Sequence, residues 1–457
     1  MSHSKSTRRR VLAQHDTNTP SAAKRGPPGR TSLTLREMRI DTEGSARASQ
    51  LTMTTESTSA LESTLHGHVT RGELAGCVAL VWRPGEPIRA IVIGRRDVDR
   101  DLPVTRNTIF RIASATKPIT TVAALTLLDE GRFRLDDPIT TVAPELADLR
   151  VLEQPEGPLD HTVPAARTIT FRDLLTHRSG LTYGEFHRGP IRTAYAATLG
   201  ATIDNDLSPD EWIARLATLP LIDQPGAAFH YSVSNDLLGF LLARIEGTTL
   251  GTVLRQRVLD PLGMHDTHFV VPPDKRGRRA ALTGFDGTGR LTTLAAAPGG
   301  HALAERPESM TFESGGQGLW STADDYLAFA RLFVGGGAVD GVSILRPHTC
   351  ALMTSNQLTA SQRTEARMLG QAPFAQGHGY GFGVAVVIEP DHADVLRCRG
   401  GVGTIGWPGA YGSWWQADPN DGSVLIYLSH NMVKLSQLAE GIGLATWSAI
   451  ATFQALA

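Results

Sequence analysis

The chain has 457 residues, 41% of them hydrophobic, with 44 lysines and arginines against 46 aspartates and glutamates. That supply of apolar side chains is enough for a sizeable core in one large domain or two smaller ones. A net charge of -2 gives no overall drive towards nucleic acid or an anionic membrane, so the composition points to a small-molecule partner.

Residues 1 to 50 carry ten Lys/Arg against four Asp/Glu and are rich in Ser, Thr, Pro and Gly, the composition of a solvated, disordered basic extension assigned to residues 1–55. Arg8, Arg9 and Arg10 invite a twin-arginine export reading, but "VLAQHDTNTP" follows them without an apolar run, and a cytoplasmic location is expected. From residue 56 the pattern changes. Leu61, Leu65 and Val69 recur at helical spacing, and "GCVALVWR" and "IRAIVIG" around Pro84, Gly85 and Pro87 predict an antiparallel hairpin. Helical patterns such as "PDEWIARLATL" and "SNDLLGFLLARIEG" dominate residues 112–300. Beyond them "YGFGVAVVIE", "ADVLRCR", "YGSWWQAD" and "SVLIYLS" read as strands, followed by a helix with Leu435, Leu438, Ile442, Ala445 and Ala449 on one side. Strands at both ends and helices between predict an α+β fold. An antiparallel sheet, flanked by helices and completed by both chain ends (56–111 plus 301–457), carries an inserted, mostly helical region (112–300).

Cys77, Cys350 and Cys398 are far apart and lack CxxC spacing, so neither a disulfide framework nor a zinc site is suggested and all three read as buried thiols. The closing stretch "GIGLATWSAIATFQALA" is short for a membrane span and reads as a packed helix.

Ser-x-x-Lys occurs three times, at Ser2–Lys5, Ser21–Lys24 and Ser114–Lys117, and only the third has an extended apolar run before it and a helical pattern after it. Spacing i to i+3 sets Ser114 and Lys117 on one face of the first helical turn, where Pro118 is tolerated because opening N–H groups need no intrahelical partner. A serine hydroxyl is a poor nucleophile until a base removes its proton, and a helix N-terminus favours the developing negative charge. An amine serves as that base only when neutral; bringing one from about 10.4 to near 7 takes roughly 4–5 kcal/mol of disfavoured charge, from desolvation or a cationic neighbour. A serine N-cap with a lysine leaving the turn has the same spelling, so these residues alone leave both readings open.

Neighbouring segments resemble the serine β-lactamase and penicillin-binding-protein superfamily, over about residues 56 to 445. They are "SATKP", "TFRDLLTHRSGL" (170–181), "PGAAFHYSVSNDLLGFLLARIEG" (225–247), "SGGQGLWSTADDYLAFARLFVGGG" (314–337) and "GTIGWPGAYGSWWQADP" (403–419). Their order is similar to the branch holding class C β-lactamases, D-alanyl carboxypeptidases and family VIII carboxylesterases. The resemblance implies Ser114 as nucleophile, Lys117 as its base and Tyr231 of "YSVSN" as the phenol that shares proton transfer. Val233 stands where relatives carry the Asn of Tyr-x-Asn, and a valine cannot hydrogen-bond a substrate amide. Trp407-Pro408-Gly409 replaces Lys-Thr-Gly or His-x-Gly, so no cation waits there for a substrate carboxylate. Trp-x-Gly is the family VIII spelling, and Val233, Trp407 and Gly409 are the implied substrate-binding positions. Backbone alternation puts the N–H groups of positions 408 and 410 on one edge, and Pro408 is tolerated where that edge is unpaired. Ala410 N–H then faces the cleft, and the resemblance assigns the oxyanion hole to Ser114 and Ala410.

Cleavage of carboxylic esters through an acyl-serine is the implied activity. β-Lactam or D-alanyl-peptide cleavage, acyl transfer from the same intermediate and a non-catalytic binding role are the alternatives. A small-molecule acyl substrate, and neither metal nor organic cofactor, is implied. Other signals are weaker. "GVGTIG" matches GxGxxG but is followed by Trp407 and Pro408 rather than a helix. No GxSxG elbow or HExxH occurs. His177 beside Ser179 reads as a hydrogen-bonded loop histidine, and Asp324 with Asp325 as helix-capping acids.

Overall fold

The computed structural model describes residues 55–294, 306–307, 309–368, 371–393, 400–433, 437 and 440–456. Helix α1 (Thr55–Thr70) leads into strands β1 (Gly76–Trp82), β2 (Arg89–Asp97) and β3 (Leu102–Pro103). From the other end of the chain come β4 (His378–Tyr380), β5 (Ala385–Val387), β6 (Ile405–Gly409), β7 (Ser413–Ala417) and β8 (Val424–Ser429). The eight form one sheet in the order β4-β5-β6-β7-β8-β1-β2-β3, with every neighbouring pair antiparallel. The two chain ends meet at the β1–β8 ladder, where Cys77 faces Ser429 and Trp82 faces Val424.

Why the central strands read as unbroken apolar runs follows from this placement. Side chains alternate between faces, and here both faces are covered. Val78 and Leu80 of β1, with Ile426 and Leu428 of β8, point into the larger core. Helices α2 (Thr116–Asp129) and α6 (Ala323–Val334) fill that core with Ile119, Val122, Tyr326 and Phe329. Cys77, Ala79 and Val81, with Leu425 and Tyr427, point the other way, against Leu61 and Leu65 of α1 and Ala449, Ile450 and Phe453 of α7 (Leu444–Leu456). The closing helix therefore starts later than its sequence pattern suggests. Ile442 lies in the preceding turn, while Leu435, Leu438 and Cys398 fall outside the described residues, as does most of "ADVLRCR".

Between the sheet segments lie α3 (Pro190–Leu199), α4 (Pro209–Leu216) and α5 (Ser234–Glu246). Ser208 and Glu211 form a capping box at the start of α4, and α5 ends at Gly247, whose φ of 65° closes the helix in the left-handed region. Helix α2 is buried nearly all round, from Thr116 to Leu127, as befits a helix between the sheet and this helical region. Among the described residues no single helix is long and apolar enough to cross a membrane.

Candidate active site

Ser114 is not in the α-helix proper. It sits in a single 3-10 turn, Ala113–Ala115, and α2 begins at Thr116. The chain enters this turn through Ala113, whose φ of 44° lies in the left-handed region that a residue with a Cβ adopts at a cost of about 1–2 kcal/mol. Neighbours hold it there. Ile112 N–H donates to Leu319 O (3.1 Å), Tyr326 OH to Ala115 O (2.8 Å) and Leu319 N–H to Thr116 Oγ1 (3.1 Å). The short ladder that pairs Phe110 with Ser321 and Arg111 with Trp320 fixes the approach. The result holds Ser114 just ahead of the start of α2, where peptide dipoles favour an oxyanion.

Lys117 is fully buried, at 0% exposure, yet it belongs to no ion pair among the described residues. Its Nζ donates to Gly316 O (2.9 Å), Tyr183 OH (3.2 Å) and Ser114 Oγ (3.4 Å). It also lies 4.6 Å from the centre of the Tyr231 ring. Three neutral acceptors and an aromatic face surround the amine, with no carboxylate hydrogen-bonded to it directly. The lysine at the mouth of an apolar helix thus points back into a polar cluster while the rest of α2 anchors the turn in the core.

Tyr231 precedes α5 and is 7% exposed. Its hydroxyl accepts from Trp407 Nε1 (3.3 Å), and its ring packs on His177 (4.9 Å), Trp407 (5.4 Å) and Tyr183 (5.5 Å). Trp407 is itself buried, so its indole grips the phenol of Tyr231. His177 is the loop histidine the sequence suggests, but its Nδ1 pairs with Ser232 Oγ (3.0 Å) rather than with Ser179. Burial, then the charge of Lys117, pushes His177 well below the usual histidine range and keeps it neutral.

Gly409, at the end of β6, permits a close approach: a Cβ there would lie 2.5 Å from Ile112 O. The strand thereby runs directly beside the Ser114 turn, and Ala410 follows it, exposed. The ladder from β6 to β5 stops at Gly406 while that to β7 continues to Gly409. One edge of β6 therefore has no strand partner from Trp407 onward among the described residues. Val233 is buried and helps line a cavity of about 400 Å³, with Tyr183, Tyr195, Leu199, Trp212 and Phe312. Asp324 and Asp325 open α6, where Asp325 also accepts from Asp266 N–H and Thr267 Oγ1.

Three residues at the centre of this site had no role in the sequence reading: Tyr183, Gly316 and Asp236. Tyr183 lies two residues past the matching segment "TFRDLLTHRSGL", and Gly316 lies inside "SGGQGLW" without a side chain to mark it. Burial, then the charges of Asp236, Tyr231 and Glu185, pushes Tyr183 well above the usual tyrosine range, so its phenol stays protonated. Gln317 Nε2 donates to the same hydroxyl at 3.3 Å.

The fold is that of the serine β-lactamase superfamily, a family of acyl-transferring hydrolases and acyltransferases. The chain belongs to the beta-lactamase family, whose model matches residues 61–443. Protein Rv1367c of Mycobacterium tuberculosis is 45% identical over 367 residues, 80% of this chain and 88% of the relative. Esterase EstB of Burkholderia gladioli is 32% identical over 371 residues, 78% of this chain and 86% of the relative. Among solved structures, that of "EstCE1, a hydrolase with promiscuous acyltransferase activity" superposes with a TM-score of 0.68 at 24% identity, covering 87% of this chain and 99% of the other.

Proposed function

We propose that the chain cleaves carboxylic esters through an acyl-enzyme on Ser114. The observation that carries this reading is the buried amine of Lys117, 3.4 Å from Ser114 Oγ and over the ring of Tyr231. Ser114 Oγ attacks the ester carbonyl and its proton passes to the Lys117–Tyr231 pair, which returns it to the departing alkoxide. The N–H groups of Ser114 and Ala410 receive the oxyanion. Water, deprotonated by the same pair, then frees the acid and regenerates the serine. The uncharged Trp407 on β6 favours neutral esters over substrates anchored by a carboxylate, and the 32% identity to an esterase agrees with that choice.

Acyl transfer to an alcohol is the second reading. The cavity that Tyr183 and Val233 line, with Trp212, Leu199 and Phe312 as apolar walls and Glu185, Arg192 and Asp236 as charged ones, gives an acceptor room on the Tyr183 side of Lys117. Intact-mass analysis after incubation with p-nitrophenyl butyrate tests both. Wild type should gain one butyryl group that Ser114→Ala does not, and added alcohol should divert product from acid to new ester if transfer dominates. Equal turnover by Ser114→Ala would end the proposal, and nitrocefin turnover at the ester rate would redirect it to lactams.

A further inference from the structure

We infer that Asp236 is a positioning residue of this site, holding Gly316 against Lys117 and supplying the buried negative charge that governs when the lysine–tyrosine pair carries a proton. This role rests on the acyl-serine reading above.

Asp236 lies in the first turn of α5 and is 1% exposed. Its Oδ1 accepts from Gly316 N–H (3.0 Å) and from Ser314 Oγ. Gly316 in turn offers its carbonyl to Lys117 Nζ, so carboxylate and amine grip the same residue from opposite sides. Only glycine allows this: a Cβ on residue 316 would lie 2.7 Å from Asp236 Oδ2 and 3.0 Å from Oδ1. Gly315 is as tightly placed, with Asn235 O 2.6 Å from where its Cβ would stand, and its own carbonyl accepts from Thr120 Oγ1 of α2. Helix α2, helix α5 and the Ser314–Gln317 loop are therefore locked together around Lys117.

A carboxyl group that served only to tie down the loop would be expected to use both oxygens. Oδ2 has no hydrogen-bond partner among the described residues, and Asp236 helps line the cavity beside Tyr183. The positive charge of Lys117 acts on the carboxyl without a direct ion pair. Burial pushes the Asp236 carboxyl up from the usual range, and Lys117 is the strongest influence pulling it back. The other groups facing the cluster are Tyr183 and Glu185 from the loop before α3, Tyr231 from the segment before α5, and neutral His177. When Ser114 Oγ bonds to carbon its proton settles on the lysine–tyrosine pair; Asp236 stabilises the ammonium until the proton leaves with the alcohol.

Asp236→Asn keeps an acceptor for Ser314 and Gly316 but removes the charge. Losing a buried anion favours the neutral amine and the ionised phenol alike. The acidic limb of the rate profile should therefore move to lower pH, by about one unit, while the plateau falls about tenfold. The readout is the rate at which a fluorophosphonate labels Ser114 from pH 5 to 10, which needs no knowledge of the natural ester. Ser314→Ala, which loosens the loop and keeps the charge, should lower the rate without moving the limb; Asp236→Ser serves if the asparagine variant does not fold. A lower rate with an unmoved limb in the uncharged variants overturns the role of Asp236 alone. A wild-type chain that the probe does not label overturns the acyl-serine reading, and this role with it.

Discussion

Arg111 and Lys117 stand on either side of the Ser114 turn, both buried, and their charges are met in different ways. Arg111 donates to Asp204 Oδ2 at 2.8 Å, and Arg306 Nε lies 3.3 Å from Oδ1 of the same aspartate, a closed triad with all three side chains at most 9% exposed. Burial pushes both guanidinium groups down from the usual arginine value and Asp204 pulls them back, so each stays charged. Lys117 instead meets neutral oxygens and an aromatic ring, with Asp236 reaching it only through Gly316. A direct, close pair locks a proton in place and stiffens the fold, whereas a charge held at one remove leaves the proton free to move. The second arrangement suits acid–base chemistry.

Three substitutions break or sharpen that contrast. Lys117→Met should fill the same space without an amine and lower the rate of Ser114 acylation about 10³-fold or more while the urea midpoint barely moves, because the amine acts on a proton and not on the fold. Asp204→Asn should do the opposite. It strands two buried cations and costs about 3–5 kcal/mol in urea unfolding, and the surviving folded fraction should acylate normally. If acylation collapsed in step with stability, the two clusters would not be separate devices. Trp407→Phe is the mildest: it removes the donor to Tyr231 OH but keeps an aromatic ring, and should reduce the acylation rate by about three- to tenfold with stability within about 1 kcal/mol. A Trp407→Phe enzyme that gained activity on carboxylate-bearing lactams would show that the indole acts by exclusion and not by its grip on Tyr231.

The antiparallel sheet built from both chain ends was legible because strand alternation and turn residues are local signals, and "GCVALVWR", "YGSWWQAD" and "SVLIYLS" fall on β1, β7 and β8. "YGFGVAVVIE" spans two strands instead of one, since the chain turns through Gly383, whose φ of 71° no branched residue would accept. The left-handed entry at Ala113 was not legible. Alanine carries no mark of that conformation, which is held by contacts to Leu319 and Tyr326 far along the chain.

By itself the amino-acid order set Ser114 and Lys117 one turn apart at the start of a helical apolar pattern, because a three-residue separation is a matter of local geometry. It also determined that Trp407 brings no charge to the strand beside them. Which groups surround the amine was decided in three dimensions. Gly316 stands 199 residues from Lys117 in sequence and Tyr183 stands 66, and no period or spacing spans such distances. Packing of α2 against α5 and the Ser314–Gln317 loop sets the amine among neutral oxygens with an acid behind them. Whether a buried lysine is locked or labile depends on that surrounding field, which exists only once the chain has folded.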